Sequence, residues 1–165
     1  MKKTLALFAE TISRQLELYT RMAGVLRAER EALVAEDVEG IHTAHAEKDA
    51  VLAALAETNE DRRHCVTFFS AAFDVPEREV TLSYLASVSA EAYAAHFSAV
   101  AERFAPVLAD VADLNFRNAL LIKKMYARNK ELVGLIKRAG KPALDLYGKS
   151  GRVQDAVKPL CTGVA

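Results

Sequence analysis

Glycine and proline are scarce in this 165-residue chain, 7 and 4 in number, which leaves few breaks in whatever regular structure it forms. No charge is in excess either: Lys+Arg and Asp+Glu are both 22. A nucleic-acid surface or an anionic membrane needs a basic surplus, so neither is expected as main partner. Cysteine is nearly absent. Cys65 falls inside a helical pattern and Cys161 in a polar tail, without a Cys-x-x-Cys pair or a nearby histidine cluster. Both are read as unpaired thiols in a reducing cytosol. No stretch approaches the ~20 apolar residues of a membrane span. Met1 to Ala9 imitate the start of a secretory signal, but the apolar run stops at Glu10, with no small-residue cleavage site. The chain is therefore expected in the cytoplasm, without membrane insertion.

Catalytic signatures are missing as well. There is no GxGxxG, P-loop or GxSxG. His64 and Cys65 are adjacent, and adjacent positions on a helix point in different directions, so they do not make a nucleophile–base pair. Glu39 and His42 form one Glu-x-x-His, with His45 a turn further, whereas a di-metal bundle needs two such motifs and two more inward glutamates. His96 has Tyr93 three residues before it and supplies no second copy. The sequence is expected to encode no enzyme, no metal site and no cofactor.

What is present is helix-forming material: 52% apolar residues, with Ala, Leu, Glu, Lys and Arg dominant. Leu5, Ile12, Tyr19, Leu26 and Leu33 recur every seven residues, with Phe8 and Met22 between them, and Gln15 and Glu29 as polar members. This predicts a coiled-coil-like helix over about 4–35. Asp37 is placed to cap a second helix with its carboxylate, over 37–73. Its stripe runs from Val38 and Ile41 to Phe69 and Phe73 and carries His45, Lys48, Asn59 and Arg62. Those four either set the register or snorkel to the edge of a shallow bundle. Asp74-Val75-Pro76 breaks the pattern. Residues 80–88 read as a short helix, and Ser87 or Ser89 can cap the long helix after it.

A third stripe, from Tyr93 through Phe104, Leu114 and Asn118 to Leu135, predicts a helix over 90–138, with Pro106 placed to kink or split it. Gly140-Lys141-Pro142 is a stop signal, and 141–165 are expected to be a flexible tail. The predicted fold is all-α: an elongated antiparallel three-helix bundle or coiled coil over 1–140, with one extra short helix. Phe68, Phe116, Leu120 and Ile122 lie off the stripes. They belong either to the core of a thicker bundle or to a groove that receives a partner's amphipathic helix. Zero net charge gives little colloidal repulsion, so a homodimer is compatible with the sequence.

Three stretches together resemble the FlgN family of flagellar type III export chaperones. Asp37, Ile41, Glu47-Lys48, Leu52, Leu55 and Arg62-Arg63 are similar to the family's second helix. Asp113 to Ile122 resemble its Leu-Asn-x-x-Asn-x-x-Leu segment, although Phe116 stands where a polar residue is unremarkable. Leu146-Tyr147-Gly148-Lys149-Ser150-Gly151 resemble the Tyr-Gly-x-x-Gly of its tail. The resemblance implies a cytosolic, ATP-independent chaperone for the two hook-filament junction (hook-associated) proteins. It points to Leu114, Asn115, Asn118, Leu121, Ile122 and Met125 as client-binding, with Asn118 alternatively a polar pin in the core. It makes Tyr147 the candidate for docking on the cytosolic domain of the export gate, unless that side chain folds back on the bundle. The alternative function is a structural coiled-coil adaptor with no secretion role, whose apolar residues are all buried in its own bundle or dimer.

Overall fold

Lys2–Ala35 form the first helix, α1, and Val38–Phe73 the second, α2, in a computed structural model that describes residues 1–139. Glu36 ends α1 by taking a left-handed conformation, φ 56 and ψ 29. Its amide then donates to the Leu33 carbonyl at 3.3 Å, and the Asp37 amide to Ala32 at 2.9 Å. These bonds satisfy carbonyls that a helix end leaves open and turn the chain within two residues. Asp74 repeats the device after α2, φ 53 and ψ 45, with the Val75 amide 3.1 Å from the Ser70 carbonyl. Pro76 follows, and a proline there does not continue a helix.

Asp37 occupies the N-cap position of α2, where its carbonyl accepts from the Ile41 amide at 3.0 Å. The expected carboxylate cap is not made. The side chain lies over Gly40 instead: a Cβ there would sit 2.5 Å from Asp37 Oδ2 and 3.0 Å from the Ala32 Cβ. Glycine at this position lets the start of α2 lie against the end of α1.

A 3₁₀ turn at Glu77–Glu79 leads to α3, Leu82–Val88, which Thr81 caps by accepting the Tyr84 amide at 3.1 Å. The last helix, α4, is Glu91–Ala139. Neither serine expected to cap it does so. Ser87 Oγ donates to the Tyr84 carbonyl, Ser89 Oγ is buried without a partner, and the Ala90 carbonyl receives the Tyr93 and Ala94 amides. Pro106 does not split α4. Pro106 and Glu102, whose carbonyl loses its amide partner to the proline ring, are both exposed, so water can satisfy that carbonyl. Among the described residues there are four α-helices and no strand.

The chain divides into two units, Met1–Ile122 and Lys123–Ala165. Partner order fixes the directions within the first. Gln15 meets Asn59 and Glu29 meets Lys48, so α1 and α2 run antiparallel. Phe8 meets Phe97, Tyr19 meets Phe104 and Glu29 meets Asn118, so α4 runs parallel to α1. Small buried residues, among them Ala23 and Ala32 on α1 and Ala44, Thr58 and Cys65 on α2, let those two backbones approach within 8 Å along their length. By contrast, α4 packs at longer range through large side chains. An aromatic cluster closes one end: Phe8 sits edge-on to Phe69 at 5.6 Å and to Phe97 at 5.7 Å, above Leu85 and Val80. A second cluster joins Met22, Val25 and Leu26 to Val51 and Leu55. In the second unit, the described residues 123–139 are helical and leave Tyr126, Leu132, Val133, Leu135 and Ile136 exposed.

Candidate functional site, a groove between α2 and α4

The backbones of α1 and α2 lie close together, whereas α4 meets both at longer range, and a groove lined by all three helices opens between α2 and α4 over α1. It holds two hollows, of about 530 Å³ and about 480 Å³, which meet at Tyr19, Asn59 and Leu108. The larger is mostly apolar, with Met22 and Leu26 below and Leu52, Val111 and Ala112 on the walls. The smaller runs toward α3, over Phe8 and Ile12, and is edged by Arg62 and Arg78. Leu52 and Leu108 are exposed although large and apolar.

At one end of the larger hollow, where Lys48 and Asn115 line it, lies a polar layer. Glu29, 1% exposed, accepts from Asn118 Nδ2 at 2.8 Å and from Lys48 Nζ at 3.4 and 3.5 Å. The Nε2 of His45 stands 3.7 Å from the same carboxylate. Lys48 also donates to Asn115 Oδ1 at 3.4 Å, which ties the two walls together at that end. A buried carboxylate is tolerated only when charge and hydrogen bonds surround it, and here α2 and α4 supply them. Further along, Gln15 Nε2 donates to Asn59 Oδ1 at 3.0 Å. Thus Lys48, Asn59 and Arg62 of the α2 stripe line the groove, and His45 stands beside Glu29. The tight α1–α2 seam uses Ala44, Val51, Leu55, Thr58 and Cys65.

The residues singled out on α4 separate. Leu114 is half-buried against the cluster of Met22 and Val51, and Asn115 lines the groove. Asn118 is enclosed, 1% exposed, with Nδ2 also 2.8 Å from the Leu26 carbonyl and Oδ1 lacking a partner. Its side chain pins α4 to α1. Leu121 is half-buried and Ile122 exposed, at the end of the first unit; Met125, half-buried, belongs to the second. Tyr147 lies outside the described residues.

Leu108 and Ala112, on the α4 wall, are missing from the predicted stripe. Their signal is present, since Leu108 stands four residues after Phe104 and three before Val111, and Ala112 four after Leu108 and three before Asn115, on the adjoining face. Elsewhere, His42 is exposed, and among the described residues no three potential metal ligands converge. His64 points outward to Glu60 at 3.3 Å while Cys65 is buried, and burial first, then Asp61, pushes its thiol above the ordinary value of 9.0. No helix among the described residues is long and apolar enough to cross a membrane.

Comparison with known proteins gives a direct match. A family model described as FlgN protein matches residues 1–155. The flagella synthesis protein FlgN of Proteus mirabilis is 25% identical over 150 residues, which cover 90% of each chain. No solved structure matches the chain.

Proposed function

The chain belongs to the FlgN family, and we propose on that premise that it is a cytoplasmic export chaperone without catalytic activity or cofactor. It binds the flagellar hook-associated proteins that join hook to filament and delivers them to the cytosolic domain of the type III export gate. One observation carries this reading. Leu52 and Leu108 on the groove, and Phe116, Leu120 and Ile122 on α4, are 42–63% exposed. Covering one half-exposed side chain of this size is worth roughly 1 kcal/mol at ~25 cal/mol per Å². Five offer about 5 kcal/mol before the costs of association, a useful gross yield for a reversible carrier. A structural adaptor that buries its apolar residues in its own bundle leaves no such surface, and one that buries them in its own dimer is told apart by its mass in sedimentation.

Client contact is assigned to Leu114, Asn115, Leu121 and Ile122 of the first unit and to Met125 of the second. Asn118 holds α4 in place behind them. Tyr147 is assigned to the gate, where an aromatic ring adds contact area at low entropic cost. The test is co-expression with the hook-associated proteins. Leu121→Asp with Met125→Asp, and separately the exposed Ile122→Asp, are expected to abolish a stable complex while helicity by circular dichroism is retained. Full binding by a chain ended before Leu114 removes the assignment. Tyr147→Ala is expected to keep the client and lose gate docking; lost client affinity instead moves that residue into the client site.

A further inference from the structure

We infer that the α2–α4 groove selects a particular amphipathic helix of a partner protein: two large apolar side chains seven or eight residues apart, a hydrogen-bonding side chain between them, and a carboxylate beside one anchor. The inference rests on the carrier reading and specifies what the carrier reads. The spacing comes from the floor. One hollow lies over Phe8, Ile12 and Gln15 and the other over Met22 and Leu26, with Tyr19 common to both. With Tyr19 counted in each, their midpoints are about nine residues apart on α1, roughly 13 Å at ~1.5 Å per residue. On a helix lying along the groove, positions seven or eight residues apart stay on one face and come near that distance, at roughly 11–12 Å.

Between the hollows stands Asn59. Its carbonyl oxygen is taken by Gln15, and its amide nitrogen has no partner among the described residues. A polar side chain midway along the partner helix meets that donor. The charge preference comes from the rim. Lys48 is held by buried Glu29 and by Asn115. Around the smaller hollow, two arginines face one carboxylate: Glu77 accepts from the Thr67 hydroxyl, and among the described residues Arg78 reaches only Glu79, at 3.7 Å. Arg62 has no carboxylate partner among the described residues. An acidic side chain next to the anchor in the smaller hollow completes this pair, and a basic one is repelled.

Fluorescence anisotropy on the full chain tests this with labelled 18-residue helical peptides. The parent carries two leucines seven apart, an asparagine between them and a glutamate beside the second. A second peptide replaces that glutamate by lysine, and a third sets the leucines five apart, on opposite faces. The acidic parent is expected to bind about five- to tenfold more tightly than the lysine peptide. Arg62→Glu is expected to reverse that order, and the five-spaced peptide to show no saturable binding. Equal binding of the two spacings, or an acid-over-lysine order unchanged by Arg62→Glu, overturns the inference. So does sedimentation showing a dimer that Leu52→Asp dissociates, because a second copy then fills the groove. If the peptide order holds while hook-associated proteins fail to bind, the carrier reading falls and the groove's selectivity stands. If those proteins bind while the peptide order fails, the carrier reading stands and the selectivity falls.

Discussion

Alanine at Glu29 or Asn118 removes opposite ends of a 2.8 Å hydrogen bond between two side chains that are each 1% exposed. Lys48 approaches the same carboxylate only to 3.4 Å, and its side chain keeps 22% of its exposure. The neutral amide is therefore expected to couple to Glu29 more strongly than the opposite charge does. A buried hydrogen bond to an ionised group contributes about 1.5–3 kcal/mol, and a partly exposed, loosely placed ion pair about 0.5–1 kcal/mol. Two double-mutant cycles measured by urea unfolding separate them, Glu29→Ala with Asn118→Ala and Glu29→Ala with Lys48→Ala. Glu29→Ala alone is expected to cost about 3 kcal/mol, because it strands the Asn118 donor and leaves Lys48 beside an empty site. At an m-value of ~2 kcal/mol/M this moves the midpoint down by roughly 1.5 M. A Lys48 coupling equal to or larger than the Asn118 coupling refutes the reasoning from distance and burial.

Two helical glycines, Gly24 and Gly40, should respond oppositely. Gly24 has nothing within 4 Å of an added Cβ, so Gly24→Ala is expected to stabilise by about 1 kcal/mol in urea unfolding. Gly40→Ala meets Asp37 and Ala32 and is expected to lose that gain or fall below the parent. Asp74→Gly relieves a left-handed residue and should add about 0.5–1 kcal/mol, raising Tm by about 1–4 °C in calorimetry. Peptide mapping after iodoacetamide treatment should find Cys65 unlabelled in the folded protein and labelled in denaturant. Its raised thiol keeps a proton that the unfolded chain loses, so the stability it contributes is complete below the ordinary 9.0 and is lost as pH climbs from there through the folded value. Unfolding curves of Cys65→Ala should lack that alkaline decline.

The helices were legible because their signals are local and repeated. The seven-residue recurrence from Leu5 to Leu33 and the break at Asp74-Val75-Pro76 lie close to the observed Lys2–Ala35 and the end of α2 at Phe73. Partnering was less legible, since small residues carry the tightest seam. Ala44, Thr58 and Cys65 do not stand out in an apolar pattern, so the bulkier row through Leu52, Asn59 and Arg62 took its place. Capping failed in two places for a physical reason. A serine or aspartate gives the capacity to cap, but the approach of a neighbour such as Gly40 decides which way the side chain turns. Asn118 stood between two roles because its partners, Leu26 and Glu29, are far away in sequence and leave no local trace.

Evenly repeated apolar stripes have a weakness: helices bearing them can slide past one another by a heptad, roughly 10 Å, and still match grease to grease. Glu29 removes that freedom. Any such shift carries its carboxylate away from the amide of Asn118 and the ammonium of Lys48 and leaves an ion among hydrocarbon. One acid on α1 thereby sets the alignment of all three helices.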